Sequence, residues 1–233
     1  MRSVAYSNLS DTSVVYHALG VSQTHVLVIP RQNMTIRSSN FPALMHLLST
    51  DLSCQHIASS SDRLKAAASH WKALDQGVDD GLSYPPIDIA ADCALLLTSA
   101  AAVSRSLFLG DRKGKRARKA ATRSTALIAL LGTPQLPTLQ SLAVRNSWEH
   151  IDERLDDLLS ERSYTSYSEI HVQVQAPRVG TFALRIFDPV NLEIGYGPDR
   201  ISLVTLRKEA SEVKSRIEQA IQTLNTREVL LYD

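Results

Sequence analysis

The sequence predicts a mainly α-helical protein, in which a helical bundle is followed by a small strand-rich unit and a closing helix. Apolar residues recur at helical spacing through most of the chain before Tyr164. Beyond Tyr164, short segments that alternate with period two and are rich in β-branched and aromatic residues predict strands. The last long segment, residues 207–224, returns to helical spacing with one apolar face. These three observations define the fold class.

The first part of the chain is the hardest to interpret. Residues 26–29 form a short apolar run before Pro30, which predicts a strand, but the other early residues show no clear period. Two helical patterns follow, one over residues 41–48 and one over about 61–74. A loop is predicted over residues 77–86, which contain an Asp-Asp-Gly sequence and a pair of prolines.

Three further helices complete the predicted bundle. A long helix rich in alanine and leucine is expected over residues 87–108, and another over 115–131, each followed by a glycine that can end it. The next helix begins near Thr138, whose hydroxyl is suited to capping its first turn, and extends to about residue 161.

The strand-rich unit follows. Residues 170–174, 182–187 and 201–204 have the composition of strands, and residues 195–199 have that of a turn. The closing helix is predicted over residues 207–224.

Two units are predicted along this layout. A helical domain spans residues 1–165, and a small α+β unit spans residues 166–233. No low-complexity linker lies between them, so the boundary can divide parts of one packed body rather than independent domains. A chain of 233 residues is long enough to bury a sizeable core.

Composition and charge narrow the classes of function. The formal net charge is only +1, so nucleic-acid binding would require a local basic patch. The two cysteines fit a reducing compartment, and the N-terminus lacks the long apolar core of a signal peptide. The most apolar segment, residues 87–109, contains Asp88, Asp92 and Arg105, which indicates a buried helix rather than a membrane span. We therefore expect a soluble cytoplasmic protein without membrane association.

No metal and no cofactor is expected. His46, His56 and His70 do not follow a zinc-binding spacing. The sequence also lacks a P-loop, a dinucleotide-binding fingerprint and a nucleophile elbow.

Residues 145–150, Arg-Asn-Ser-Trp-Glu-His, carry the clearest chemistry in the chain. On a helix, Trp148 belongs to the apolar stripe that faces the core, whereas Arg145 and His150 lie on the other side, roughly 140° apart. An arginine can stabilise negative charge on a reacting phosphate, and a histidine can transfer a proton near neutral pH. The pair therefore has the chemistry to cleave a phosphodiester without a metal ion.

This Arg-polar-x-x-x-His pattern resembles the motif of the HEPN (higher eukaryotes and prokaryotes nucleotide-binding) domain family. The resemblance covers the helical region up to about residue 162 and leaves the strand-rich C-terminal part unexplained. It implies that His150 acts as the general base or acid, that Arg145 holds the transferring phosphate, and that Asn146 orients the histidine or the substrate. Glu149 and Asp152 are candidates for tuning the histidine. Cleavage of this type requires a ribose 2′-hydroxyl, so the implied substrate is RNA.

The resemblance also implies a dimer, because two HEPN domains typically pair so that their motifs meet in one cleft. Leu139 and Leu142 project towards the polar side of the motif helix. Apolar residues in that position suggest that another helix or another subunit covers this side. A homodimer through the motif helix is therefore expected, and a neutralising protein partner would suit a toxin or defence effector.

A basic run supplies a second candidate site. Seven positive charges fall within twelve residues, at the start of a predicted helix, where cations oppose the helix dipole. Such a run is suited to binding RNA phosphates. The alternative is a solvated helix end that pairs with acids such as Asp79 and Asp80, or Asp156 and Asp157. The residues of the run are Arg112, Lys113, Lys115, Arg116, Arg118, Lys119 and Arg123.

Three interpretations of function remain open from the sequence. The first is a metal-independent endoribonuclease that cleaves RNA through attack of the 2′-hydroxyl. The second is a catalytically inactive HEPN-like module that binds a nucleotide, RNA or a protein. The third is a helical interaction protein unrelated to HEPN, whose basic run meets an acidic partner.

Overall fold

The computed structural model describes residues 38–108, 114–141, 146, 166–173, 181–196, 199–224, 226 and 229. These residues include one short 3-10 helix (Ser38–Asn40), five α-helices and four strands. The protein is mainly helical, with a small sheet and a closing helix, as the sequence predicts. The helices are α1 (Phe41–Asp75), α2 (Pro86–Leu107), α3 (Lys115–Leu130), α4 (Pro137–Ser141) and α5 (Leu203–Leu224). The strands are β1 (Ser166–Val172), β2 (Thr181–Asp188), β3 (Glu193–Tyr196) and β4 (Asp199–Ser202).

Helix α1 is a single helix of 35 residues, so the prediction of two separate helical patterns at 41–48 and 61–74 is wrong. The intervening segment is rich in serine and threonine, which hid its helical period. Thr50, Ser60 and Ser61 are buried at core positions that apolar residues would otherwise mark. The hydroxyl of Thr50 donates to the carbonyl of His46 one turn earlier (2.8 Å), so the helix satisfies its own buried polar group.

Helix α2 packs beside α1 as a hairpin and supplies much of the buried core. Arg63 of α1 donates from Nε to Asp92 of α2 (2.7 Å), and this contact joins the middle of the two helices. Among the described helices, α2 is the one long and apolar enough to cross a membrane by length and composition, with a mean hydropathy of 1.6. Half of that apolar window is buried inside the chain, which is compatible with the core helix of a soluble protein.

The boundaries of α2 and α3 agree with the predictions to within a residue. Gly132 follows α3 with a φ of +71°, which a residue with a side chain rarely adopts. A Cβ atom at Gly132 would lie 3.1 Å from Nη1 of Arg216 in α5, and Arg216 Nη1 donates to the carbonyl of Leu131 (2.9 Å). The glycine therefore ends α3 at the point where Arg216 of α5 binds the backbone of the chain.

Helix α4 begins at Pro137, and Leu136 accepts its first backbone hydrogen bond from Gln140 (3.0 Å). The prediction that Thr138 caps this helix is wrong. The amides of Thr138 and Leu139 donate instead to the two oxygens of Glu209 in α5, at 2.9 and 2.8 Å. Glu209 is buried, so a carboxylate from a distant segment takes the capping role.

The four strands form one sheet in the order β1-β2-β3-β4. Strand β1 is parallel to β2, and the other neighbouring pairs are antiparallel. The strand predicted at 182–187 corresponds to β2. The strand predicted at 170–174 is placed too late, because β1 begins at Ser166 and ends at Val172, and residue 174 lies outside the described residues. The predicted turn at 195–199 is narrower than expected, because Tyr196 of β3 pairs directly with Asp199 of β4.

The strand predicted over residues 201–204 ends two residues early, at Ser202, and α5 begins at Leu203 rather than at Arg207. The amide of Thr205 donates to the hydroxyl of Ser202 (3.3 Å), which makes Ser202 the capping residue of α5. Val204 has the side chain of a strand former but is exposed, so its β-branched shape did not decide the local structure.

Helix α5 packs along α1, and the two helices share one buried core with α2 and the sheet. Asn40, which is fully buried before α1, donates from Nδ2 to the carbonyl of Leu224 (2.7 Å) and accepts the amide of Val229 (2.8 Å). The start of α1 is thereby joined to the end of α5. The division of the chain at residue 165 stays a prediction.

The loop between α1 and α2 is held on the end of α1. His70 is buried, and its Nδ1 donates to Oδ1 of Asp80 (2.6 Å), which also accepts the amide of Leu82 (3.0 Å). Trp71 donates from Nε1 to the carbonyl of Tyr84 (3.1 Å). These contacts lower the pKa of Asp80, mainly through the Leu82 amide and then through His70.

Replacement of Glu209 with alanine is expected to destabilise the protein by about 2 kcal/mol, because two amides at a buried helix start would lose their acceptors. Urea unfolding measures this loss. The exposed neighbour Lys208 offers a matched control, and Lys208→Ala should change the free energy of unfolding by less than about 0.5 kcal/mol. Equal effects of the two substitutions would contradict the capping role.

The Asp80 contacts should make part of the stability depend on pH. Because folding lowers the pKa of Asp80 from its usual 3.8, its stabilisation is present above that pH and is lost as the pH falls through the folded-state pKa. Wild type should therefore be more stable than Asp80→Asn near pH 6, and the difference should shrink below about pH 3.8. Urea unfolding of both proteins across this range tests the expectation, and a difference independent of pH would refute it.

Candidate nucleic-acid interface

One face of α3 carries the basic run. Five of the seven predicted cations belong to this helix, and the other two, Arg112 and Lys113, lie outside the described residues. On a helical projection the five side chains cover roughly 160° of the circumference, opposite the buried Ser124. The side chains of the described run are Lys115, Arg116, Arg118, Lys119 and Arg123.

The remaining circumference of α3 attaches the helix to the protein. Ser124 and Leu127 are buried, and the hydroxyl of Ser124 donates to the carbonyl of Ser106 in α2 (2.9 Å). Alanines between the cations are only partly exposed. The helix is thus held by small and apolar residues, and its first turns present positive charge.

The positive charge of α3 is not neutralised within the described part of the chain. The helix contains no aspartate or glutamate, and no ion pair there joins its cations to an acidic side chain. Asp79 and Asp80, the predicted alternative partners, accept the amides of Gly81 and Leu82 instead. The other predicted partners, Asp156 and Asp157, lie outside the described residues. The exposed cations are therefore available to anions in solution.

Arg123 differs from the other four cations because it is only half-exposed. Its Nε is buried and has no hydrogen-bond partner among the described groups. His46 of α1 is close enough to be affected by this guanidinium: burial lowers the pKa of His46, and the positive charge of Arg123 lowers it further.

The motif predicted at 145–150 falls largely outside the described residues. Arg145, Glu149, His150 and Asp152 are among the residues not described, and so is Leu142. Asn146 is described, and it is helical and exposed. Helix α4 precedes Asn146 in the sequence, and the amides of its first turn donate to Glu209 of α5.

Leu139 lies in the core of its own chain and is fully buried. Helix α4 packs against α2 and α5, so helices of the same chain cover this residue. A second subunit is therefore not needed to explain the burial of Leu139, and this residue does not support a dimer.

The two cysteines do not supply a nucleophile. Burial raises the pKa of the Cys54 thiol to about 12, with Asp51 adding to the effect, and burial also raises the pKa of Cys93. Both thiols therefore stay protonated at neutral pH. Within the described ranges, no group of three histidine, cysteine, aspartate or glutamate side chains is placed to hold a metal ion.

Sequence reasoning did not single out Glu209, which accepts the first amides of α4. Glu209 sits in the middle of an amphipathic helix, where a buried acid is unusual. The position of Glu209 on the apolar face of α5 was the sequence feature that could have identified it.

Comparison of the chain with protein-family models, with curated proteins and with solved structures gives no match.

If the basic face of α3 binds RNA, two neutral substitutions there should weaken the binding in proportion to the charge removed. The double variant Arg118→Gln/Lys119→Gln is expected to bind single-stranded RNA more weakly and to lower the slope of log affinity against log salt by about 1.4. Fluorescence anisotropy at several salt concentrations measures both. The matched control is Lys65→Gln/Lys208→Gln, which removes two exposed cations from α1 and α5. If both doubles give the same slope, α3 is not the binding face.

Proposed function

We propose that this protein is a HEPN-like, metal-independent endoribonuclease. The observation that supports the proposal most directly is the basic face of α3, because an unneutralised cationic helix is suited to a polyanionic substrate. It accompanies a sequence motif, residues 145–150, whose arginine and histidine have the chemistry for phosphodiester cleavage. RNA is the proposed substrate, and the cytoplasm is the proposed location.

In the proposed reaction, His150 removes the proton of a ribose 2′-hydroxyl. The 2′-oxygen forms a bond to the adjacent phosphorus, and the bond from phosphorus to the 5′-oxygen of the next nucleotide breaks. The leaving oxygen takes a proton from water or from the second histidine of a paired site. Arg145 stabilises the charge on the phosphorane, and Asn146 orients His150 or the substrate. The products are a 2′,3′-cyclic phosphate and a 5′-hydroxyl, so atoms and charge balance without a metal ion.

One described residue of the motif supports this mechanism. Asn146 is exposed on a helix, which is consistent with a motif that faces a substrate rather than the core. A homodimer that brings two motifs together, and a protein partner that neutralises a toxin or defence activity, belong to the same proposal.

A second candidate is a binding module without catalysis. The basic face of α3 favours it, because phosphate binding needs only positive charge and no reactive histidine. In that case RNA or a nucleotide would bind with a steep salt dependence but would remain intact.

A cleavage assay in EDTA tests the catalytic proposal. Purified wild type is expected to cut RNA and leave cyclic-phosphate ends, whereas Arg145→Ala and His150→Ala should each lower the rate by about a hundredfold or more. An RNA with 2′-O-methyl groups should resist cleavage, because it lacks the nucleophile. Lys65→Ala, an exposed change on α1, is the matched control and should cut at the wild-type rate.

Equal residual cutting by all four proteins would identify a contaminating nuclease and overturn the proposal. Binding of RNA without cutting would favour the inactive module.

A further inference from the structure

We propose that the exposed apolar end of the α1–α2 hairpin is a docking site for the basic face of α3 on a second copy of this chain. This end is called the apolar tip. The contact is head to tail, because it joins two different surfaces of the protein. It goes beyond the proposed function and does not depend on the cleavage of RNA. The exposed apolar side chains of the tip are Leu74, Val78, Leu82, Ile87 and Val190.

The apolar tip concentrates hydrophobic surface that the fold leaves in contact with water. Ten large apolar side chains are exposed in the described part of the chain, and five of them belong to the tip. Ile87 is the most exposed of the ten, at 72%. Single exposed apolar residues are ordinary, but a group of them at one end of a protein indicates a surface for a partner.

Hydrogen bonds to the last turns of α1 hold the loop part of the tip in place. The amide of Val78 donates to a carbonyl in the last turn of α1 (2.9 Å). Asp80, which is bound to α1 through its histidine partner, accepts the amide of Leu82 (3.0 Å). Trp71 of α1 donates to the carbonyl of Tyr84 (3.1 Å), just before α2 begins. The tip is therefore a formed surface that a partner can recognise.

The charge around these apolar side chains is mainly negative. Residues 73–91 contain four aspartates and no lysine or arginine. Asp79 and Asp88 are both exposed. Lys72 adds one positive charge at the edge of the tip, where its Nζ lies 3.4 Å from the carbonyl of Val190. An acidic surface of this kind repels nucleic acid and suits a partner that presents cations.

The basic face of α3 is the complementary surface on the same protein. It has no acidic partner within the described residues. Lysine and arginine carry long apolar stems below their charged heads. Their stems can cover Leu82 and Ile87 while their heads meet the carboxylates of the tip. Two copies do not repel each other strongly, because the net charge of the chain is only +1.

The attachment of α3 separates the two surfaces within one chain. The hydroxyl of Ser124 in α3 donates to the carbonyl of Ser106, near the end of α2. Asp88 lies at the start of α2, and the 18 residues between these positions correspond to about 27 Å along the helix. No ion pair joins α3 to the tip in the described ranges. These observations favour a contact between two copies.

Sedimentation velocity of the purified protein tests this contact. The weight-average sedimentation coefficient of wild type should rise with protein concentration at low salt. It should fall when salt is added, because screening weakens the attraction between surface charges. A head-to-tail contact is not used up by two copies, so species larger than a dimer should form. A wild type that stays monomeric at every concentration, or whose association does not respond to salt, would overturn the proposal.

Two double variants remove one surface each. The tip variant, Leu82→Gln/Ile87→Gln, loses apolar area and should weaken the association about tenfold or more. The α3 variant, Arg118→Glu/Lys119→Glu, places negative charge opposite the acidic tip and should weaken it by a similar factor.

Met45→Gln/Val204→Gln is the matched control for the tip variant. It makes the same kind of change at two exposed apolar residues of α1 and α5 that lie outside the tip. Its association should stay within about twofold of wild type. A control that loses association as strongly as the tip variant would show that the tip is not the contact.

A mixture of the tip variant and the α3 variant distinguishes a head-to-tail contact from other arrangements. Each protein keeps one intact surface, so the α3 of the tip variant can dock on the tip of the α3 variant. The mixture should form a one-to-one complex that neither variant forms alone, which also shows that both variants are folded. Absence of this complex, or full association of the α3 variant by itself, would overturn the proposal.

Nuclease treatment of the wild-type preparation excludes bridging by nucleic acid. The association should be unchanged after digestion of RNA and DNA, because the contact joins two protein surfaces. If digestion abolishes the association, nucleic acid joins the copies and the proposal fails.

Discussion

The packing of α5 against α1 is the contact on which the rest of the described structure depends. Asp62 forms an ion pair with Arg207, and Oδ1 of Asp51 lies 3.9 Å from Nζ of Lys214. At the end of α5, the carbonyl of Leu224 accepts a hydrogen bond from the buried side-chain amide of Asn40. Contacts therefore recur along the length of the two helices. The surface ion pairs contribute little by themselves. The apolar face of α5, buried at Val213 and at each turn around it, provides most of the stabilisation.

Two other parts of the chain are attached to α5. Glu209 binds the first amides of α4, and Arg216 binds the carbonyl that follows α3. The connection between α3 and α4 is therefore held at both of its ends by α5. A segment near the C-terminus thus determines how α3 and α4, both earlier in the chain, are attached to the core.

In α3, the residues that carry the positive charge are different from the residues that hold the helix on the protein. Cations at the start of a helix oppose the helix dipole, and no described acid offsets them. Burial of Leu127, together with the hydrogen bond from the Ser124 hydroxyl to the carbonyl of Ser106 in α2, offsets this unfavourable electrostatic energy. A helix that is stabilised on one face can tolerate uncompensated charge on the other, and that charge is the feature which an anionic ligand would recognise.

The sequence by itself determined the elements that depend on local patterns. The limits of α2 and α3, the strand β2 and the basic face all follow from apolar period, glycine stops and charge spacing, which act between near neighbours. Tertiary structure alone decided the continuity of α1 and the start of α4. Those features depend on buried serines whose environment has no local signature and on a carboxylate 70 residues from the amide that it caps. Contacts between distant residues are not encoded in the period of one segment, because the partner that satisfies a buried polar group is known only when the chain has folded.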